Sequence, residues 1–283
     1  MTGRAFFRWT LFAAYVALFF VIPFYLVGDL IGLGVGISLW LGFLVFIRWN
    51  GVAKITRRLK VSPLTRAHHP ALRAIVSEYC RRLKLPEPRV GVMASPAVNL
   101  GLFGFNPRDA HLVITQGAIE RLSRDQLSSL IGRELCYFKL GESVTETWLC
   151  QFLWIFYRLI NQPALSRTAP VRKTTTVKLF SKQILFFPLT LFPLLVLKGR
   201  RNAELVDNLS LKLTRKPGAL SAGFRYLEAM QERIPFPVAF SDRHLFLLPP
   251  RNQDPLARVF FQSESFSERI RAIEGLRRAV MTN

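Results

Sequence analysis

The sequence predicts an α+β protein in which helical membrane hairpins carry an aqueous domain built around a small sheet. Three observations predict it. The first 47 residues hold two long apolar runs with a two-residue break between them. The following segments alternate short Val- and Ile-rich stretches with amphipathic helical patterns. Half of the 283 residues are apolar, yet 39 Lys and Arg against 18 Asp and Glu leave a net charge of +21. That pairing excludes a disordered polycation, which needs low hydrophobicity to stay unfolded. Three cysteines (Cys80, Cys136 and Cys150) with no C-x-x-C exclude a disulfide framework and a cysteine-built zinc finger. The charges are dispersed and no nucleic-acid-binding motif accompanies them, so no nucleic-acid partner is expected.

The first apolar run extends from Trp9 to Val27, the second from Leu30 to Ile47, with Gly28-Asp29 between them. About 18 residues in each suffice to cross a hydrocarbon layer of roughly 30 Å. A cleaved signal peptide is the competing reading. It fails because the first run is too long, no small-x-small cleavage site follows, and a second span comes at once. Residues 1–47 are therefore expected to form an N-terminal transmembrane hairpin with the lipid bilayer as its partner. Arg4 and Arg8 precede it, Arg48, Lys54, Arg57, Arg58 and Lys60 follow it, and its turn carries no Lys or Arg. That bias expects both ends, and the domain after Arg48, on the cytoplasmic side. The basic cluster is either a site for anionic headgroups, at about 1 kcal/mol per cation near the surface, or a solvated linker.

Two further apolar stretches interrupt the remaining domain, residues 48–283. Val144 to Ile160 carries Glu146 and Arg158; Ile184 to Leu197 has 14 residues and contains Pro188 and Pro193. The linker between them is basic, with Arg167, Arg172, Lys173, Lys178 and Lys182, which opposes its placement outside. The two read as a second hairpin at about 144–197 that is either short and strained or only partly inserted.

In the aqueous part, Pro70 to Lys84 reads as an amphipathic helix with Pro at its first position and Leu72, Ile75, Val76, Tyr79 and Leu83 on one face. Arg89 to Ala94 and His111 to Thr115 read as strands. Asn99 to Phe105 reads as a third, Gly-interrupted strand that fits an edge better than the middle of a sheet. Ser123-Arg124-Asp125-Gln126 is a capping box opening a helix to about Leu140. Leu127, Leu130, Ile131, Glu134, Leu135 and Phe138 fall in one stripe of that helix, with Glu134 near its middle. A carboxylate in an apolar stripe must face a cleft, pair with a cation or take up a proton.

These features, in this order, resemble the HtpX-type integral-membrane zinc metalloproteases over nearly the whole length. The matching segments are the N-terminal hairpin, LPEPRVGVM, SPAVNLGLFGFNPRDAHLVITQGAIERL, the capped helix, the second apolar hairpin, GRRNAELVDNLSLKLTRKPGAL and SESFSERIRAIEGLR. The resemblance implies a zincin-like domain in a bacterial inner membrane. It also implies H-E-x-x-H on the capped helix, whose two histidines grip zinc while the Glu activates a metal-bound water. Here that run is Arg133-Glu134-Leu135-Cys136-Tyr137. The family's third ligand is a Glu four residues before an Asp on a later helix. With Asp207 as that Asp, the ligand position holds Ala203, and Glu204 is one residue, or about 100°, away. The degenerate ligand positions are thus Arg133, Tyr137 and Ala203, with Glu134 a relic general base and Asp207 and Glu204 behind them.

Zinc is accordingly expected to be lost, with no cofactor in its place. His68, His69, His111 and His244 have no i, i+4 spacing to rebuild the site. A site of Glu134, Tyr137, Glu204 and Asp207 would offer zinc only oxygen. The Arg133 guanidinium is expected to pair with Asp207, Glu204 or Glu134 in place of the metal, or else to point at water or headgroups. The leading functional expectation is an inactive pseudoprotease. In the family the strand before the active helix lines the substrate groove, a place that falls here on Asn99, Leu100, Gly101, Leu102 and Phe103. An exposed edge there can bind extended segments by main-chain hydrogen bonds; the alternative is a strand covered by the chain's own loops. Unfolded or membrane-protein clients, or an active protease, are the expected protein partners. The alternatives are an active membrane zinc metalloendopeptidase with a rebuilt site, and a non-enzymatic scaffold on anionic membrane.

Overall fold

The structure, a computed structural model, describes residues 3–49, 51–64, 69–160, 203–236, 238–248 and 266–281. The expected apolar stretch 184–197, its basic linker and His68 lie outside the described residues.

Helix α1 (Gly3–Arg48) is two helices joined at Gly28 and Asp29, where the backbone leaves helical geometry and Asp29 takes φ 47° and ψ −130°. The two arms fold back on each other. Trp40 Nε1 donates to the Ala13 carbonyl at 3.1 Å and the Phe20 and Phe43 rings lie 5.2 Å apart. Small residues let them touch. A Cβ on Gly32 would run into the Phe24 carbonyl oxygen, and one on Gly36 would lie 2.7 Å from that of Phe20. Close backbone approach over a Gly-x-x-x-Gly spacing is a means of holding helices together in lipid, where apolar burial drives nothing. The tip is apolar and bare: Leu26, Val27, Leu30 and Ile31 are exposed. Among the described residues, α1 alone is long and apolar enough to cross a membrane.

After α1 comes a short amphipathic helix α2 (Gly51–Arg58), burying Val52 and Ile55. Two turns of helix are too short to show a period in the sequence. Strand β1 (Val61–Pro63) follows; its Pro63 cannot donate to a ladder and sits, as such residues do, on an edge strand. Helix α3 (Pro70–Leu83) starts on its proline and ends at Lys84, which has left-handed geometry. Strands β2 (Arg89–Met93), β3 (Leu100–Phe103) and β4 (His111–Thr115) complete a four-stranded sheet in the order β1-β2-β4-β3. β2 and β4 are parallel, Arg89 opposite His111 and Met93 opposite Thr115; the two outer pairs are antiparallel. β3 is therefore an edge strand.

Thr115 caps a short helix α4 (Gln116–Arg121). Helix α5 (Arg124–Lys139) opens on the expected capping box, Ser123 with Gln126. Its whole stripe is buried against the sheet and the helices around it. Helix α6 (Glu142–Ile160) begins one turn later and packs along the first arm of α1. Arg8 meets Glu142 at 2.5 Å, Trp9 stacks edge-on to Trp148, and Phe12 meets Phe152. Helices α7 (Ala203–Thr214), α8 (Pro217–Arg233) and α9 (Phe266–Met281) lie beyond, and a 3-10 segment, Phe240–Leu245, rests on α6.

Candidate functional site

The site lies where α5, α7 and α9 converge. Gly132 allows the approach: a Cβ there would be 2.6 Å from Thr214 Cγ2 of α7 and 3.3 Å from the Tyr79 ring of α3. Next to it, Arg133 turns inward and is 3% exposed, and Glu134 is 2% exposed. The guanidinium Nη1 of Arg133 donates to Glu134 Oε1 at 2.6 Å, and its Nε reaches Asp207 Oδ1 of α7 at 3.4 Å. Burial would strip this guanidinium of its proton more easily, but the Glu134 and Asp207 carboxylates outweigh it and hold the group above its ordinary pKa. It is a fixed positive charge.

Asp207 is held from a second direction. Arg269 of α9 grips it with two bonds, Nε to Oδ2 at 2.9 Å and Nη2 to Oδ1 at 2.8 Å, with its guanidinium 4.3 Å above the Phe224 ring of α8. Two guanidiniums and two carboxylates therefore interlock three helices, and the formal charges of Arg133, Arg269, Glu134 and Asp207 cancel. Arg269 did not emerge from the sequence because nothing in a distant helical tail marks which of its several cations turns inward. Tyr137, one turn after Arg133, lies 5.2 Å below the Arg133 guanidinium and donates its hydroxyl to Glu146 of α6 at 2.5 Å.

Of the residues singled out from the sequence, Arg133, Glu134, Tyr137 and Asp207 meet at this cluster and Ala203 is buried one turn before Asp207 on the same face of α7. Glu204 does not join them. It is exposed on α7, because the residue after an inward Ala203 is carried about 100° round the helix. Cys136 is fully buried and its thiol is pushed up to about 12, chiefly by burial, so it is a neutral packing group. His69 precedes α3, His111 stacks on Phe103, and His244 is buried in the 3-10 segment, all apart from the cluster.

The groove residues lie along an edge strand, as expected, and the alternative of a covered edge is the arrangement seen. β3 is at the sheet edge, but Asn99, Leu100, Leu102 and Phe103 are all buried. The chain's own residues 245–248 cover the outer side: Leu247 N donates to Leu100 O at 2.9 Å, and Asn99 Nδ2 donates to Leu248 O at 2.6 Å. An open edge strand costs unpaired main-chain groups, and this segment removes part of that cost.

No protein-family model matches the chain. It is 24% identical over 272 residues to the protease HtpX homologue of Salinibacter ruber, covering 90% of this chain and 93% of that one. Against the protease HtpX homologue of Lactobacillus acidophilus it is 24% identical over 294 residues, covering 92% and 95%. In three dimensions it matches the crystal structure of S. mikatae Ste24p with a TM-score of 0.53 at 14% identity, covering 92% of this chain and 62% of that one. The chain is similar to HtpX-type membrane metalloproteases. The HtpX-type likeness extends over 90% and 92% of the chain in the two HtpX homologues and supports a protease-like membrane protein.

The zinc that this relationship implies does not fit the residues present. At the positions where the resemblance would place ligands stand the Arg133 guanidinium, the Tyr137 phenol bonded to Glu146 and the Ala203 methyl group. Among the described residues no three His, Cys, Asp or Glu side chains gather where an ion could be held. A guanidinium 2.6 Å from Glu134 also repels a dication from the same carboxylate.

Proposed function

We propose that the chain is a membrane-anchored, non-catalytic member of the HtpX-type proteases with a binding or regulatory role. The observation that carries this reading is the Arg133 guanidinium seated between Glu134 and Asp207. A protease of this type needs a Lewis acid to polarise the peptide carbonyl and to bring a water's pKa toward neutrality. Among the described residues the donor set offers no place for one. Glu134 as a lone general base supplies a factor of roughly 10² to 10⁴, against the roughly 10⁶ or more that enzymes provide. Its carboxylate is moreover committed to a guanidinium. The cluster's work on this reading is structural, cross-linking α5, α7 and α9.

The membrane placement extends the same reading. The arms of α1 are antiparallel, so Arg4, Arg8 and Arg48 come to one end, beside α2 and the sheet. The charge rule favours that end, both termini and the α+β domain in the cytoplasm, and the likeness to HtpX homologues favours a bacterial inner membrane. The protein partners are unfolded or membrane-protein clients, or an active protease that the chain regulates.

Metal analysis of the full chain purified from zinc-supplemented medium, with a casein cleavage assay on the same sample, tests this. The expected result is zinc far below one per chain and no cleavage. One tightly held zinc per chain, with cleavage that a chelator stops and Glu134→Gln abolishes, overturns it.

A further inference from the structure

The segment over β3 meets that strand through main-chain groups. Thr115 N donates to Asn99 O at 3.1 Å, and Gly101 and Phe103 stand opposite Val113 and His111. In an antiparallel pair, ladder bonds occur at every second residue, so the main-chain groups of Leu100 and Leu102 point to the outer edge. Leu100 O takes the amide of Leu247 there. Asn99 completes the pairing with its side chain: Nδ2 donates to Leu248 O at 2.6 Å while Oδ1 accepts from Leu248 N at 3.3 Å. That amide reads both main-chain groups of one residue and no side chain. The outward N–H and C=O of Leu102 have no hydrogen-bond partner among the described residues, although Leu102 is buried. A longer extended segment would satisfy them.

The occupant is tied down beside the edge, not by it. Asp242, 1% exposed, receives Arg58 Nη2 at 2.5 Å and Nε at 3.3 Å, and Cys150 Sγ at 3.1 Å from α6. Arg58 lies at the end of α2, one short helix from the membrane hairpin. From Leu245 to Leu248 the side chains are apolar and buried, with Phe246 edge-on to Phe236 at 4.7 Å. At Gly101, where any Cβ would strike the Leu245 carbonyl, the segment crosses the sheet face before reaching the edge.

We propose that Phe240–Leu248 is a displaceable strap, latched by Asp242 and Arg58, that keeps the outer edge of β3 closed until an extended apolar segment of another polypeptide takes its place. This rests on the binding role proposed above and names its ligand and its gate. Recognition is of main chain, through Leu100, Leu102 and Asn99, so it tolerates many sequences. Charged segments are refused, since a buried unpaired charge is too costly. The strap's own Leu-Phe-Leu-Leu is the template for what fits.

The test uses the full chain in nanodiscs and a fluorescein-labelled peptide with a Leu-Phe-Leu-Leu core and lysine flanks. Its control is the same peptide N-methylated at alternate core amides, equally apolar but unable to pair. Saturating peptide is expected to speed hydrogen exchange at residues 245–248 at least tenfold while β4 stays protected. Asp242→Asn, which weakens the latch, is expected to tighten peptide binding about tenfold by raising the open fraction. Binding that leaves exchange at 245–248 unchanged overturns the proposal, as does equal binding of the N-methylated control. A folded Asp242→Asn protein with unaltered affinity overturns the latch. If that variant does not fold, the wild-type exchange and the control decide alone. Mass analysis of the recovered peptide separates the two readings. Intact peptide is expected; cleaved peptide overturns the non-catalytic role and leaves the strap standing.

Discussion

Replacing Arg133 with Met probes the cluster most directly. Asp207 keeps both bonds from Arg269, so the loss falls on Glu134, which gives up a guanidinium at 2.6 Å while 2% exposed. Breaking a buried pair by removing one partner costs about 3–5 kcal/mol. A second route gives a similar figure. The variant can discharge Glu134 by protonation, and neutralising a carboxylate of ordinary pKa at pH 7 costs about 3.7 kcal/mol. That cost falls to about 1 kcal/mol at pH 5, so the penalty should be large at neutral pH and shrink as pH falls. The double variant Arg133→Met, Glu134→Leu removes both charges and should recover most of the loss, since apolar replacement of an entire buried pair is often neutral. Thermal unfolding of the full chain in detergent, followed by tryptophan fluorescence at pH 7 and pH 5, reads all of this. A single variant within about 0.5 kcal/mol of wild type at pH 7, or a loss independent of pH, refutes the ionic lock.

Restoring the family's ligands with Arg133→His, Tyr137→His and Ala203→Glu together should produce zinc uptake by metal analysis, while Arg133→His alone should not, because two ligands would still be missing. Gly32→Leu should destabilise the hairpin by about 1–3 kcal/mol, an overpacking penalty, because its side chain meets the Phe24 carbonyl; Gly34→Leu, where no atom lies within 4 Å of the added Cβ, is the matched control in the same unfolding assay. Cys80, with its thiol pushed up to about 11, and Cys136, pushed up to about 12, are buried. Both should resist a maleimide at pH 7 in the native chain and react once it is denatured, as counted by mass.

The elements legible in the sequence were those with a local signal. The capping box of Ser123 and Gln126 fixed the start of α5, Pro70 that of α3, and Gly28-Asp29 the break in α1. What stayed hidden was set by partners far along the chain. β1 is three residues whose strand character comes from pairing with Gly91, Val92 and Met93. The inward face of Glu134 was readable from periodicity and three carboxylates were candidate partners for Arg133, but its reaching Asp207 and not Glu204 depends on the register between α5 and α7, and Arg269 on where α9 docks. The covering of β3 by 245–248 joins residues almost 150 positions apart. No pattern of hydrophobicity in HLFLLPP distinguishes an internal strap from an ordinary core loop.

The charge balance explains why the cluster needs two arginines. On the proposed reading, a dication that once faced Glu134 and Asp207 has been replaced by monovalent side chains, and one guanidinium leaves a buried carboxylate in excess. Arg133 and Arg269 together restore the two positive charges, one from the helix that bore the ligands and one from the C-terminal helix. A metal draws its ligands into one point; two planar forks spread the same charge over three helices and demand fixed directions. Retreat to a metal site is therefore not one substitution away. A histidine at position 133 removes one of the two guanidiniums that balance the site before the remaining ligands exist, so a route that starts there passes through a buried cluster with excess negative charge.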